Sequence, residues 1–150
     1  MPPHIHIRQL TPSDAPLFAQ LVHLFHLVFE NDAATVAPAT HLHQLLQSPH
    51  FAVFAVFADE HLVGGCTTYI LPSYTSTQAE LLLYDLAIHP DFQRQGLGSR
   101  LIHAVRTFCT QQHIPLFFVL AHADDHPAVE FYRATGAHLE AVVNAIYPLK

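Results

Sequence analysis

Basic residues are scarce in this chain of 150: six are Lys or Arg, and the one lysine is Lys150. Recognition of nucleic acid needs a basic patch that neutralises phosphates, so nucleic acid is excluded as a partner class. Long apolar runs are also missing. No stretch approaches the roughly 20 residues of a membrane span, and Met1-Pro2-Pro3-His4 has neither the charged nor the apolar region of a signal peptide. The expectation is a soluble, cytoplasmic protein with no membrane partner. Cysteine is limited to Cys66 and Cys109, in no Cys-x-x-Cys pair, which reads as two buried thiols rather than a disulfide framework. Fourteen histidines are present, with pairs such as His4/His6, His23/His26 and His41/His43. None follows a zinc spacing such as His-Glu-x-x-His, so they read as solvated surface residues and no metal is expected.

What is present is an apolar, mildly acidic chain. It is 51% hydrophobic and 12% charged, enough to bury a sizeable core, and its length fits one domain over residues 1–150. The formal net charge of −6 favours cationic small molecules through the long-range field. Periodicity predicts strands at Ile5–Arg8, Phe51–Phe57, Leu62–Ile70, Glu80–Ile88, Leu116–Ala121 and Ala141–Ile146. Helices are predicted after Thr11-Pro12-Ser13-Asp14, over His41–Gln47, from Leu97 and after Asp124-Asp125-His126-Pro127. Residues 31–40 read as a loop. The alternation argues for one α/β domain with a mixed sheet.

The richest stretch runs from Leu81 to Arg100. An apolar strand is punctuated by His89-Pro90, and a short loop follows, ending in Gln93-Arg94-Gln95-Gly96-Leu97-Gly98 where an amphipathic helix begins. A helix N-terminus carries unpaired N–H groups and partial positive charge, and glycines there admit an anion to the backbone. Neither Gly-x-x-x-x-Gly-Lys-Ser/Thr nor Gly-x-Gly-x-x-Gly is present. A second motif follows the 116–121 strand: Asp125-His126-Pro127-Ala128-Val129-Glu130-Phe131-Tyr132, closing at Gly136.

Together these resemble the two motifs of the GNAT superfamily of N-acetyltransferases, which use acetyl-CoA. Asp125 stands where that family usually has Asn, and Ala137 where it usually has Phe. The Leu24-Phe25, Phe29-Glu30, Tyr69-Ile70-Leu71-Pro72 and Tyr84-Asp85-Leu86-Ala87 segments extend the resemblance, over nearly the whole chain, to type I aminoglycoside 3-N-acetyltransferases. It implies a GNAT fold, with a mixed central sheet flanked by helices. It also implies that the strand ending at Leu86-Ala87-Ile88 splays from its neighbour so that acetyl-CoA pairs with it like an added strand. The Ile88 amide or a neighbour would polarise the thioester carbonyl. Gln93, Arg94, Gln95, Gly96, Leu97, Gly98 and Ser99 would hold the pyrophosphate, with Asp125 and Ala128 as further cofactor contacts. Arg94 either adds charge there or is simply solvated.

Tyr132 matches the family's general acid toward the CoA sulfur; the alternative is a packed tyrosine beside Phe131. Asp85 either orients and deprotonates the acceptor amine or is a buried carboxylate satisfied by hydrogen bonds. His26 and Glu30, one helical turn apart, would help bind the acceptor from the first helix, unless they are only an exposed helix face. Glu80 and Asp124 would extend an acidic rim. The implied activity is acetylation of the 3-amino group of an aminoglycoside. The alternatives are another acceptor, such as a polyamine or peptide amine, and a non-catalytic acyl-CoA-binding module. A homodimer is left open.

Overall fold

The computed structural model describes residues 1–31 and 35–150; the part of the expected loop over residues 32–34 lies outside them. Two compact units are present, Met1–Leu120 and Ala121–Lys150.

The first unit is built on a five-stranded sheet in chain order: β1 (Ile5–Gln9), β2 (Phe51–Ala58), β3 (His61–Pro72), β4 (Ala79–Ile88) and β5 (Phe117–Val119). β1 to β4 run antiparallel, and β5 lies parallel to β4. The return that a parallel pair requires is made by helix α3 (Leu97–Gln111). Helices α1 (Ala15–Val28) and α2 (Ala39–Gln47) come before β2. Short 3-10 turns lead into α1 at Pro12–Asp14 and into the α3 loop at Pro90–Phe92.

β2 reads Phe-Ala-Val-Phe-Ala-Val-Phe-Ala and every residue of it is buried. A central strand covered on both faces needs an unbroken apolar run, where a half-exposed strand would alternate. Its odd-numbered residues Phe51, Val53, Ala55 and Phe57 share a core with Phe18, Leu21, Leu24 and Phe25 of α1 and Leu42 and Leu46 of α2. Successive strand residues face opposite ways, so Phe54 points to the other face, where its ring meets Phe108 of α3 at 5.4 Å. α1 rides close over β3 because position 65 is glycine: a Cβ there would sit 2.9 Å from the Leu21 side chain and 2.5 Å from the Phe54 carbonyl oxygen. At the start of α1, Asp14 accepts the Thr11 amide at 2.7 Å and pairs with Arg8 at 2.8 Å. This holds the Asp14 carboxyl down to about 2. Cys66 and Cys109 are free and buried, and burial pushes their thiols up to about 12 and about 11.

The second unit holds α4 (His126–Ala134) and residues 135–150. Asp125 caps α4 by accepting the Ala128 amide at 3.2 Å, and Gly136 follows the helix with φ 104, the left-handed residue that ends many helices. The strand expected over residues 141–146 does not form: residues 137–150 have no regular structure, and Val142, Val143 and Ile146 are exposed. An apolar, β-branched run becomes a strand only where a neighbour takes up its backbone groups, and this unit contains no other strand. β5 is also shorter than the 116–121 expectation.

Candidate active site

β4 has two different halves. Its first half pairs on both sides, with β3 and, through Leu81↔Phe117, Leu82↔Phe118 and Leu83↔Val119, with β5. Pairing with β5 stops there, although β4 runs on to Ile88. One residue later the register with β3 slips: Thr68 opposes Leu83 but Thr67 opposes Asp85, which leaves Tyr84 as an extra residue. Such a bulge bends its strand and sharpens the twist, carrying the end of β4 away from a parallel neighbour. Leu86, Ala87 and Ile88 therefore border an open edge.

The direction of the backbone there follows from alternation. The His89 amide donates to the Val63 carbonyl at 2.8 Å, so the groups of Ile88 point to the opposite edge, the one β5 has left. Gln93 reaches the same place, its Nε2 donating to the Ile88 carbonyl at 2.9 Å. Gln93 thus straps the loop to the strand end.

Past the strand, the Asp91 amide donates to His89 Nδ1 at 3.1 Å, and the chain curls through two left-handed residues, Arg94 (φ 62) and Gly96 (φ 80). A Cβ on Gly96 would meet nothing within 4 Å, so the backbone angle is what favours glycine there, and the space above it is open. The first α3 bond runs from the Arg100 amide to the Gly96 carbonyl at 3.1 Å. The amides of Leu97, Gly98 and Ser99 precede it, and Gly96 offers no side chain to cap them. Unpaired amides, a helix dipole and a Cβ-free approach make this helix start a candidate anion cradle. Arg94, Gln95 and Ser99 are exposed around it. An unpaired strand edge leading to an anion cradle fits a long ligand with an amide-bearing arm and a phosphate head, which is the chemistry of a CoA thioester.

Asp85 lies at the bulge. Opposite Thr67, Tyr69 and Leu71, alternate residues of β3, stand Asp85, Leu82 and Glu80, so both acids lie on the sheet face that carries Phe51 and Val53. Glu80 is exposed and Asp85 half-buried; burial raises the Asp85 carboxyl above the ordinary carboxylate value. Two tyrosines outside the expected site residues border it. Tyr69 and Tyr84 meet edge to face at 5.4 Å, and Tyr69 meets Phe51 at 5.0 Å. In the sequence their only signal is that each opens a segment, Tyr69-Ile70-Leu71-Pro72 or Tyr84-Asp85-Leu86-Ala87, that carries the resemblance.

His26 sits half-buried in the last turn of α1. The expected pairing with Glu30 on one helix face fails. α1 ends at Val28, and Glu30 lies beyond the cap, exposed and left-handed at φ 54. The chain leaves the helix as the Asn31 amide returns to the His26 carbonyl at 3.0 Å, so the 3.6-residue period no longer applies. The second unit carries Asp124, Asp125, Ala128 and Tyr132. Asp124 is exposed before α4, and Asp125 spends its carboxylate on the helix cap. Tyr132 is part-buried, its ring 5.2 Å from that of Phe131. Among the described residues no group of three or more His, Cys, Asp or Glu is placed to hold a metal ion, and no helix is long and apolar enough to cross a membrane.

Residues 18–137 match the family model described as "Acetyltransferase (GNAT) family". No curated protein matches. Among solved structures, the aminoglycoside acetyltransferase meta-AAC0020, from an uncultured soil metagenomic sample, is 38% identical in its complex with trehalose. Its TM-score is 0.94, and 97% of each chain is covered. The same protein in complex with sisomicin is 37% identical, with TM-score 0.94 and 97% of each chain covered. The aminoglycoside acetyltransferase HMB0005, also from uncultured soil, is 24% identical with TM-score 0.92, over 98% of this chain and 99% of that one; at that identity the likeness speaks for the fold alone. The mixed sheet, the strand edge opened at a bulge and the glycine-led helix start agree with the family match, and the chain belongs to the GNAT family of acetyltransferases.

Proposed function

We propose that this chain is an aminoglycoside acetyltransferase that modifies the 3-amino group. The observation that carries the substrate class is the 38% identity to meta-AAC0020 over 97% of both chains, together with that protein's crystallisation with sisomicin. The position of acetylation rests on the sequence resemblance to the type I 3-N enzymes. The family match runs across both compact units, which supports a single catalytic domain.

GNAT enzymes use acetyl-CoA, which supplies an activated acetyl group as a thioester. In this chain the open edge at Leu86–Ile88 would hold the pantetheine arm, and the amides of Leu97, Gly98 and Ser99 the pyrophosphate. The Ile88 amide faces that edge and would stabilise charge developing on the carbonyl oxygen. Gln93, bound to the Ile88 carbonyl, would keep strand end and cradle in fixed relation. Asp85 would take the proton of the attacking amine, directly or through water; its raised pKa makes it a stronger base than an ordinary carboxylate. Tyr132 would protonate the leaving thiolate, a role that rests on its motif position. Asp125 and Ala128 are proposed near the cofactor as part of the same motif, with the Asp125 carboxylate already engaged as a cap. Glu80, Asp124, His26 and Glu30 would contribute to the acceptor side, where carboxylates attract a polycation.

The test is acetyl-CoA turnover over an aminoglycoside panel, followed by NMR location of the new acetamide. Acetylation of gentamicin or sisomicin at the 3-amino group is expected. Turnover with only a polyamine or peptide amine, or modification at another position, would overturn the substrate assignment and leave the acetyltransferase.

A further inference from the structure

In a regular strand, neighbouring residues point to opposite faces, so an aromatic ring and a carboxylate at adjacent positions cannot act on one ligand. The bulge in β4 removes that restriction. Two residues of a bulged strand oppose one of its partner. Here Tyr84 and Asp85 together stand against Thr67, since Leu83 already opposes Thr68. Ring geometry agrees. Tyr69 lies two residues from Thr67 and so shares its face, and the Tyr84 ring meets Tyr69 on that face at 5.4 Å. Burial is graded across the group. Asp85 is half-buried, Tyr69 is 36% exposed and Tyr84 is 59% exposed. Tyr69 is held from behind by Phe51 at 5.0 Å, while Tyr84 presents most of its ring to solvent.

We infer that the Tyr84 ring, buttressed by Tyr69 and set beside Asp85 by the bulge, is a specificity subsite for a second ammonium group of the acceptor. The inference rests on the proposed acceptor class and goes beyond it by assigning these residues. The electron-rich face of a tyrosine attracts a cation and not a neutral amine. The group it holds is therefore a neighbouring ammonium, because the attacking amine must be neutral. Asp85, half-buried beside it, is left to face the reacting nitrogen. The division of labour selects acceptors with at least two amines close together and disfavours simple monoamines. Tyr69 is a positioning residue: it fixes the angle of Tyr84.

The test compares Tyr84→Leu, which keeps apolar bulk and removes the aromatic face, with Tyr84→Phe, which keeps the face and removes the hydroxyl. Tyr84 is exposed, so both variants should fold; circular dichroism and thermal melts check this. Tyr84→Leu should raise KM and Kd for sisomicin by roughly three- to thirtyfold, with no matching fall in kcat and no change in the Kd of acetyl-CoA. Tyr84→Phe should stay within about twofold of wild type, as the ring face persists. Equal losses in both variants, or wild-type sisomicin affinity in Tyr84→Leu, would overturn the inference while leaving the substrate assignment intact. If the wild-type enzyme neither acetylates nor binds sisomicin, the substrate assignment fails, and the same pair is read with spermine. A selective loss of spermine affinity in Tyr84→Leu sustains the ammonium subsite; equal affinities, or no spermine binding by the wild type, overturn it.

Discussion

The two halves of β4 are nearly equally apolar and yet pair differently. Leu81 and Leu83 are fully buried between two strands. Leu86 to Ile88, only a few residues on, keep one neighbour and expose a backbone edge. Composition does not separate the halves, because Leu-Leu-Leu and Leu-Ala-Ile are both wholly apolar. A single extra residue, Tyr84, does so by shifting the pairing register and bending the strand. The second half is proposed to bind because its pairing with β5 is left unmade.

The largest expected effect lies beyond the second half of β4, at the helix start to which its proposed binding edge leads. Gly98→Glu places bulk and negative charge among the first amides of α3, where an anion is proposed to sit. Acetyl-CoA binding should be abolished in calorimetry while the melting curve stays near wild type. Unchanged affinity in a folded variant would remove the cradle assignment.

The structural half should answer in the opposite way. Leu83→Ala empties a fully buried position and should cost about 2–5 kcal/mol of stability. In the fraction that stays folded, acetyl-CoA affinity should be retained. A variant that kept its stability and lost the ligand would erase the distinction between the halves.

Asp85, at the junction, sharpens the comparison through pH. Its carboxyl is raised by burial, so turnover should climb with pH on a limb lying above the ordinary carboxylate value of about 4. Asp85→Asn should flatten that limb and lower kcat/KM for the amine by about a hundredfold, sparing the KM of acetyl-CoA. The same raised pKa means that the folded state prefers the protonated acid. Asp85 should therefore lower stability as pH rises from its unfolded value through its folded one.

Asp14 gives the smallest effect and the opposite sign. Its carboxyl is held down to about 2, chiefly by Arg8. Its contribution is present above the unfolded carboxylate value and is lost as pH falls from about 4 toward the folded value. Arg8 is partly exposed, so the contribution should be at most about 1 kcal/mol. Urea midpoints of Asp14→Asn and wild type between pH 5 and pH 2 should converge at the acid end.

Several features were legible in the chain because their causes are local. The unbroken apolar run of β2, the Thr11–Asp14 start of α1, the Asp125 cap and the glycine-led start of α3 follow from residues within a few positions of one another. The candidate cradle over Gln93 to Ser99 is legible for that reason, since a helix N-terminus needs no distant partner to bind an anion. The Glu30 expectation failed because a helical period extended past Val28, where the chain had already turned left-handed. Residues 141–146 failed as a strand because apolar β-branched residues supply only one side of a ladder.

By itself the sequence determined the positions of the helices and of most strands, the glycine-led start of α3 and the family, because each rests on local periodicity or on a short motif. Tertiary structure alone decided that Tyr84 is the residue left over between Leu83 and Asp85, that β4 parts from β5 after Leu83, and that Tyr69, Tyr84 and Asp85 share one face. Register is a property of two strands and not of one: which residue is left unpaired depends on the side chains that β3, β2 and α1 must bury at the same time.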